Sequence, residues 1–431
     1  LSYSSESSYN TAIGSESLRN NRTAGNNNTA IGYRSLYSNT TGTDNTAIGI
    51  NVLYSNTTGF YNTAIGSSAL YSNTTGANNT AIGSSALQAN TTGTRNTAVG
   101  YQSLYSNTTG IDNTAVGYQS LYSNTIGYHN TAVGSSALYS NTTGADNTAI
   151  GYRSLLNNTT SSANTAVGYY TLYSNTTGTQ NTAVGTDALR ANTTGNYNTA
   201  VGVEALRFNT IGTDNTALGF NALLSNTIGI SNTAIGSAAL YSNTTGTFNT
   251  ALGTSALYSN TTGIENTAIG RSAGSSNTTG FNNTFIGNGA QGSTETVSNQ
   301  ITLGNSAVDS LRCAVTTITA LSDRRDKKNI EKLEIGLDFV KALNPCGWNY
   351  DLRENYPDGK ADGSKMRKER NHGFIAQDLQ EIQKKFKIDL GLVMDDNPDK
   401  LETSEGRLLP VMVRAIQELS ERLEKLEGGL K

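Results

Sequence analysis

The stretch ITALSDRRDKKNI, residues 318–330, contains the first lysine of a 431-residue chain and sets Ser322 five residues before Lys327. A serine hydroxyl is a weak nucleophile that an adjacent base can activate. Lysine is such a base only when neutral, which requires burial or nearby positive charge to lower its pKa from about 10.4. Arg324, Arg325 and Lys328 supply positive neighbours. Attack of Ser322 on the Leu321 carbonyl would turn the preceding amide into an ester that water hydrolyses, parting the chain between Leu321 and Ser322. Asn329, His372 and Gln377 are candidates to orient the groups or stabilise the oxyanion. Taken alone, these residues read more simply as a solvated basic linker between two unlike halves.

The halves differ sharply. All four prolines, the single Trp348 and every lysine follow residue 320. With 45 glycines, 7% aromatic and 15% charged residues, the chain is neither an ordinary globular enzyme nor an acidic disordered one. A formal net charge of −3 gives no footprint for nucleic acid or an anionic membrane, and no apolar run is long enough to span a bilayer. Cys313 and Cys346 are too few for a disulfide framework, lack metal-ligand spacing and read as free thiols. No metal or other cofactor is indicated. The start, LSYSSESSYN, carries no initiator methionine or leader pattern and reads as a fragment whose upstream anchor or leader is missing.

Up to about residue 290 the chain repeats N-T-A-I/V-G from Asn10, first after 18 residues and then every 17, to Asn283. We number the repeat from this asparagine, as in NTAIGSSALYSNTTGAN (62–78). Large apolar residues recur at the fourth position (Ile48, Val99, Leu218) and the ninth (Leu18 to Leu257). Two such side chains cannot offset a unit's backbone ordering entropy, so stability must come from stacked neighbours. The period is too short for helical pairs; T-A-I/V segments between Gly and Asn-Thr-Thr-Gly corners read as rungs of a parallel β-solenoid roughly 80 Å long. Gly and Asn are expected at positive-φ corners, SSALYSN as a helical turn or a plain corner, and the alanines at positions three and eight as a small-residue face between chains. Tyrosines at position ten (Tyr37, Tyr54, Tyr71, Tyr105, Tyr122, Tyr139, Tyr173, Tyr241, Tyr258) read as a structural ladder or as inter-chain packing, with glycan stacking as the alternative. The Asn-Thr-Thr triplets match the glycosylation pattern but read as turn formers, and His129 reads as an exposed variation in a turn. The NTAIG and NTAVG motifs resemble the head repeats of trimeric autotransporter adhesins, which implies a left-handed β-roll packed three around an axis.

Beyond residue 322 the spacing predicts a helix through Ile335, Leu337, Val340 and Leu343 stopped by Asn344-Pro345, a strand at GWNYDL and a polar connection at NYPDGKADGSKMRKERN. An amphipathic helix follows through Leu379, Ile382 and Phe386. Leu409, Met412, Ile416, Leu419, Leu423 and Leu426 then form a heptad seam able to zip three helices together. The ordered motifs SDRRDKKNI, LNPCGWNYD, HGFIAQDLQE and LLPVMVRAIQEL resemble the endosialidase-type intramolecular chaperone at the C-terminus of phage tail spikes and tail fibres. The resemblance implies a trimeric domain that helps the preceding stalk to fold and then cuts itself off, with Ser322 and Lys327 as its serine–lysine dyad.

The expectation is therefore a mainly β chain: solenoid shaft 1–304, connector 305–321, and a small α+β chaperone and autoprotease domain 322–431 ending in a coiled-coil-like helix. Its function would be that of a homotrimeric fibre, in a virion tail or on a cell surface, released by cleavage at Leu321–Ser322. Its partners would be its own copies and a host-cell surface glycan or receptor, with no nucleic acid and no membrane insertion. The alternative is a glycan- or ice-binding repeat module with an uncleaved C-terminal trimerisation cap.

Overall fold

The structure, a computed structural model, describes residues 9–21, 25–308, 324–353, 356–395, 397 and 401–428. The chain divides into two compact units, Leu1–Asp309 and Ser310–Lys431. The first is a β-solenoid. Its strands β1 (Thr11–Ile13) to β17 (Thr284–Ile286) each occupy repeat positions two to four, and β18 (Ile301–Leu303) closes the series. Every strand pairs in parallel with the next, from β1 to β16 Thr against Thr and Ala against Ala, as in Thr182↔Thr199 and Ala183↔Ala200. Thr, Ile and Val favour this pleated backbone, and Gly at position five ends each strand from β1 to β17 with φ between 117° and 141°. A Cβ at these glycines would collide with the carbonyl of the next rung's glycine, so the expected glycine corner is present.

A three-residue strand has one inward slot, and alanine fills it. Ala30, Ala47, Ala98 and their equivalents are fully buried beside the position-nine leucines, Leu18 to Leu257. The expected alanine face between chains does not exist, because the alanines of positions three and eight lie inside each chain. Conversely, the large residue at position four points outward and is buried in no rung. The segment after the position-five glycine is no helical turn: positions seven and nine both adopt positive φ, with the leucines at 49–52°. That backbone costs about 1–2 kcal/mol per leucine, and burying the side chain contributes roughly 1.5–3 kcal/mol. A rung is thus marginal alone.

The asparagines also differ from expectation. Those at positions one and twelve do not adopt positive φ; position seventeen does, as at Asp112, His129 and Asp146. Instead they build two buried ladders. The Asn45 side-chain amide donates to Asn28 Oδ1 at 3.1 Å and to the Gly59 carbonyl at 2.9 Å, and that of Asn56 donates to Asn39 Oδ1 at 2.9 Å and the Gly59 carbonyl at 3.0 Å. The ladders satisfy amides and carbonyls that the corners would otherwise bury unpaired. The position-twelve ladder ends at Asn277, whose Oδ1 has no partner, because Thr294 occupies that place in the next repeat. These asparagines begin the Asn-Thr-Thr triplets, and their full burial closes them to glycosylation in the folded shaft. The position-ten tyrosines form the expected ladder, with ring centroids 4.9–5.1 Å apart and planes within 3–7°. Stacked faces leave only ring edges for a sugar. His129 is exposed, with Nδ1 3.2 Å from Asp146 Oδ1 and Nε2 3.7 Å from Asp112 Oδ2.

One rung trades volumes with its neighbour. Gly274 stands in the leucine position and the fully buried Phe285 in the alanine position of the next rung, its ring filling the space a Gly274 side chain would take. Such compensated swaps keep core volume. Phe285→Ala leaves the cavity uncompensated, and a loss of about 3–5 kcal/mol is expected in urea denaturation.

The second unit holds α1 (Leu337–Ala342), β19 (Cys346–Asn349), β20 (Arg370–Gly373), α2 (Ala376–Phe386), β21 (Val393–Met394), β22 (Glu402–Thr403) and α3 (Leu409–Gly428). β19 and β20 pair antiparallel, as do β21 and β22. Phe339, Leu379, Leu392, Leu408 and Val411 form its buried core. The expected helices and the strand at Trp348 are present; the small β21–β22 hairpin was not foreseen. The polar connection between β19 and β20 is organised by Asp351, which accepts from the Tyr356 hydroxyl at 2.6 Å and the Gly363 N–H at 2.8 Å. α3 packs on its own unit through Val411 and Ala415, whereas Leu409, Met412, Ile416, Leu419, Leu423 and Leu426 are 47–68% exposed. The heptad seam is therefore not the face that holds α3 to its own unit.

Candidate active site

Leu321 and Ser322, the scissile pair, and Cys313 lie outside the described residues. The described part of the site begins with one 3-10 turn, Arg324–Asp326, from which Lys327 follows, its backbone N–H donating to the Arg324 carbonyl at 3.2 Å. The chain then bends at Asn329, whose φ of 53° is a conformation asparagine tolerates. Lys327 and Asn329 are both exposed.

His372 and Gln377 come from consecutive elements. His372 lies on β20 opposite Gly347 of β19 and is exposed; Gln377 is exposed in the first turn of α2. The link between those elements is fixed by Glu405, whose Oε1 accepts the Phe374 N–H at 3.1 Å and sits over Gly373, where any side chain would meet it. Sequence reading missed Glu405, which stands far along the chain from the strand it steadies. It also missed Glu418. This residue on α3 accepts the Leu337 N–H at 2.8 Å and pairs with Arg414 at 3.2 Å, capping α1, whose own Gly336 cap offers no side chain. The only signal was the Arg414/Glu418 spacing of one helical turn.

Two polar groups in the connection between β19 and β20 have displaced titrations. Tyr356 is held above its ordinary phenol range, first by withdrawal from solvent and then by its hydrogen bond to Asp351. Asp362 is held below the usual carboxylate range by hydrogen bonds from the Ser364 side chain and backbone. Among the described residues no group of His, Cys, Asp and Glu could hold a metal ion, and Cys346 is a free thiol. No described helix is long and apolar enough to cross a membrane.

The elements that carry Lys327, Asn329, His372 and Gln377 form one contiguous stretch of chain, and that stretch has a counterpart. Residues 322–387 match a peptidase family described as the chaperone of endosialidase. The matched stretch starts at Ser322 itself and ends at Lys387, the left-handed residue that caps α2. No curated protein matched the chain. The endosialidase-chaperone segment thus contains the whole proposed dyad and its three supporting candidates, and α3 with its seam follows after it.

Proposed function

We propose that the chain is a homotrimeric fibre shaft, of a virion tail or a cell surface, made with a C-terminal chaperone that trimerises it and then releases itself. The carrying observation is the α3 seam: six heptad-spaced apolar residues, exposed in a single chain, in the unit that holds the endosialidase-chaperone segment. An apolar seam of this spacing is covered by helices like itself, which fixes three C-terminal ends together before the shafts align.

Release follows from the dyad. The Ser322 hydroxyl, its proton taken by the neutral Lys327 amine, attacks the Leu321 carbonyl carbon. The Leu321–Ser322 C–N bond breaks, the Ser322 nitrogen takes the proton, and Leu321 is left as an ester on the Ser322 oxygen. Water then hydrolyses that ester to the Leu321 carboxylate and the Ser322 hydroxyl. Lys327 is exposed in the single chain, so the burial that makes it neutral arises when copies assemble, and cleavage follows assembly. Intact mass and sedimentation velocity test the reading: a trimeric shaft plus a fragment beginning at Ser322 is expected, and a stable uncut monomer contradicts it.

A further inference from the structure

Position two is Thr and position four is Ile, Val or Leu in every rung from β1 to β17. Both point out of the solenoid. The outward positions six and seventeen change freely from rung to rung, including Tyr, Phe, Arg, Asp and Ala. Strand propensity alone would accept Tyr or Phe at positions two and four as well; none occurs. The threonines of position thirteen use their hydroxyls inside the shaft, Thr57 and Thr74 each donating to the next rung's carbonyl at 3.0 and 3.1 Å. Among the described residues the position-two hydroxyls have no such bond.

The result is an uncharged double row, one of free hydroxyls and one of aliphatic side chains. In-register parallel pairing, Thr on Thr and position four on position four, keeps both rows continuous from rung to rung. The aliphatic members reach 36–46% exposure at Val184, Leu218, Leu252, Ile269 and Ile286. Covering them would remove roughly 40 Å² per rung and on the order of 700 Å² along the shaft, before the threonines are counted, which is about one partner's share of a stable interface.

We infer that this Thr/aliphatic face is the surface by which a second copy of the chain docks, parallel and rung against rung. The inference rests on the trimeric reading above and names the face that reading leaves open. Both partners present the same row at the same axial repeat, so aliphatic meets aliphatic in every rung and the spare hydroxyls find partners across the contact. Parallel orientation follows from the second unpartnered seam, on α3, which must meet its counterparts at the same end. The rows are so uniform that a slip by one rung forfeits only the contacts of one rung. Register is therefore set by the C-terminal unit and merely held by the shaft.

The test is disulfide mapping of the full chain in a Cys313→Ser, Cys346→Ser background. Val184→Cys substitutes a solvent-facing position that already varies between rungs, and circular dichroism checks that the solenoid is intact. Mild oxidation is expected to convert most Val184→Cys protein into cross-linked pairs, while Thr194→Cys, exposed on another side, stays largely unlinked. Co-expressed Val184→Cys and Leu252→Cys chains, four rungs or about 19 Å apart, should link only to their own kind. A trimer by sedimentation in which Val184→Cys stays unlinked overturns the face while leaving the trimeric fibre standing. Links between residues 184 and 252 overturn the register. A monomer with free thiols defeats both, and leaves the face open to a glycan or to ordered water.

Discussion

Ser322→Ala protein is expected to run as one intact chain of 431 residues, where the parent is expected to yield a shaft ending at Leu321 and a fragment starting at Ser322. The hydroxyl is the only group at that position able to accept the Leu321 acyl group, so the loss should be complete on the time scale of expression. Lys327 offers a sharper distinction. A free lysine near neutrality is unprotonated on the order of once in a thousand molecules, and Lys327→Ala is expected to slow cleavage by about 10²–10⁴-fold. Lys327→Arg keeps the positive charge but cannot lose its proton; it should be as slow as the alanine variant. If the arginine variant cuts normally, residue 327 supplies charge rather than a base. Charging the α3 seam, as in Ile416→Asp with Leu419→Asp, should slow assembly and cleavage together, because Lys327 is exposed in the single chain and the proposed mechanism needs assembly to bury it.

The second large effect is expected inside the shaft. Asn198 is fully buried; its amide donates to Asn181 Oδ1 at 3.2 Å and the Gly212 carbonyl at 2.8 Å, and its own Oδ1 accepts the backbone and side-chain N–H groups of Asn215 at 3.1 and 3.2 Å. Asn198→Ala leaves the Asn215 backbone N–H without a partner in a site closed to water, and takes one of two bonds from the Gly212 carbonyl and the Asn215 side-chain amide, which keep Asn209 and Gly229. An unpaired buried group costs about 1–3 kcal/mol, and with the two thinned bonds beside it a loss of about 2–4 kcal/mol is expected. Thr199→Ala, one residue on and facing outward, should stay within about 0.5 kcal/mol in the isolated chain. Urea midpoints compare the two, and amide exchange locates the damage: loosening should centre on the rungs of Asn181, Asn198 and Asn215. Equal effects from both variants would mean that the ladder is decoration.

Much of this fold is legible in the residues. The strict period fixes the rungs, T-A-I/V places the strands, and glycine at position five marks a corner that the backbone requires. In the C-terminal unit, periodicity places α1, α2 and α3. What misleads is the ranking of residues by size and habit. Isoleucine at position four looks more interior than alanine at position three, yet a three-residue strand beside a buried leucine has room inside only for a methyl group. Asparagine is a common corner residue, and that habit hides a ladder whose amides bond the rungs above and below. The leucines at position nine sit in a conformation that leucine disfavours, and no local rule announces it. As for the site, Ser322 and Lys327 are visible as a spacing, but Glu405 and Glu418 act from distant parts of the chain and only the fold brings them to the strand and helix they steady.

The like-for-like pairing of each rung with the next has a consequence for how such a shaft changes over generations. From β2 to β16 every joint is alike, Thr on Thr and Ala on Ala, so a stretch of gene encoding 17 residues can be lost or copied there without leaving a mismatched joint. Length is then quantised in steps of about 4.8 Å, adjustable by recombination between near-identical repeats, while the C-terminal unit is inherited unchanged.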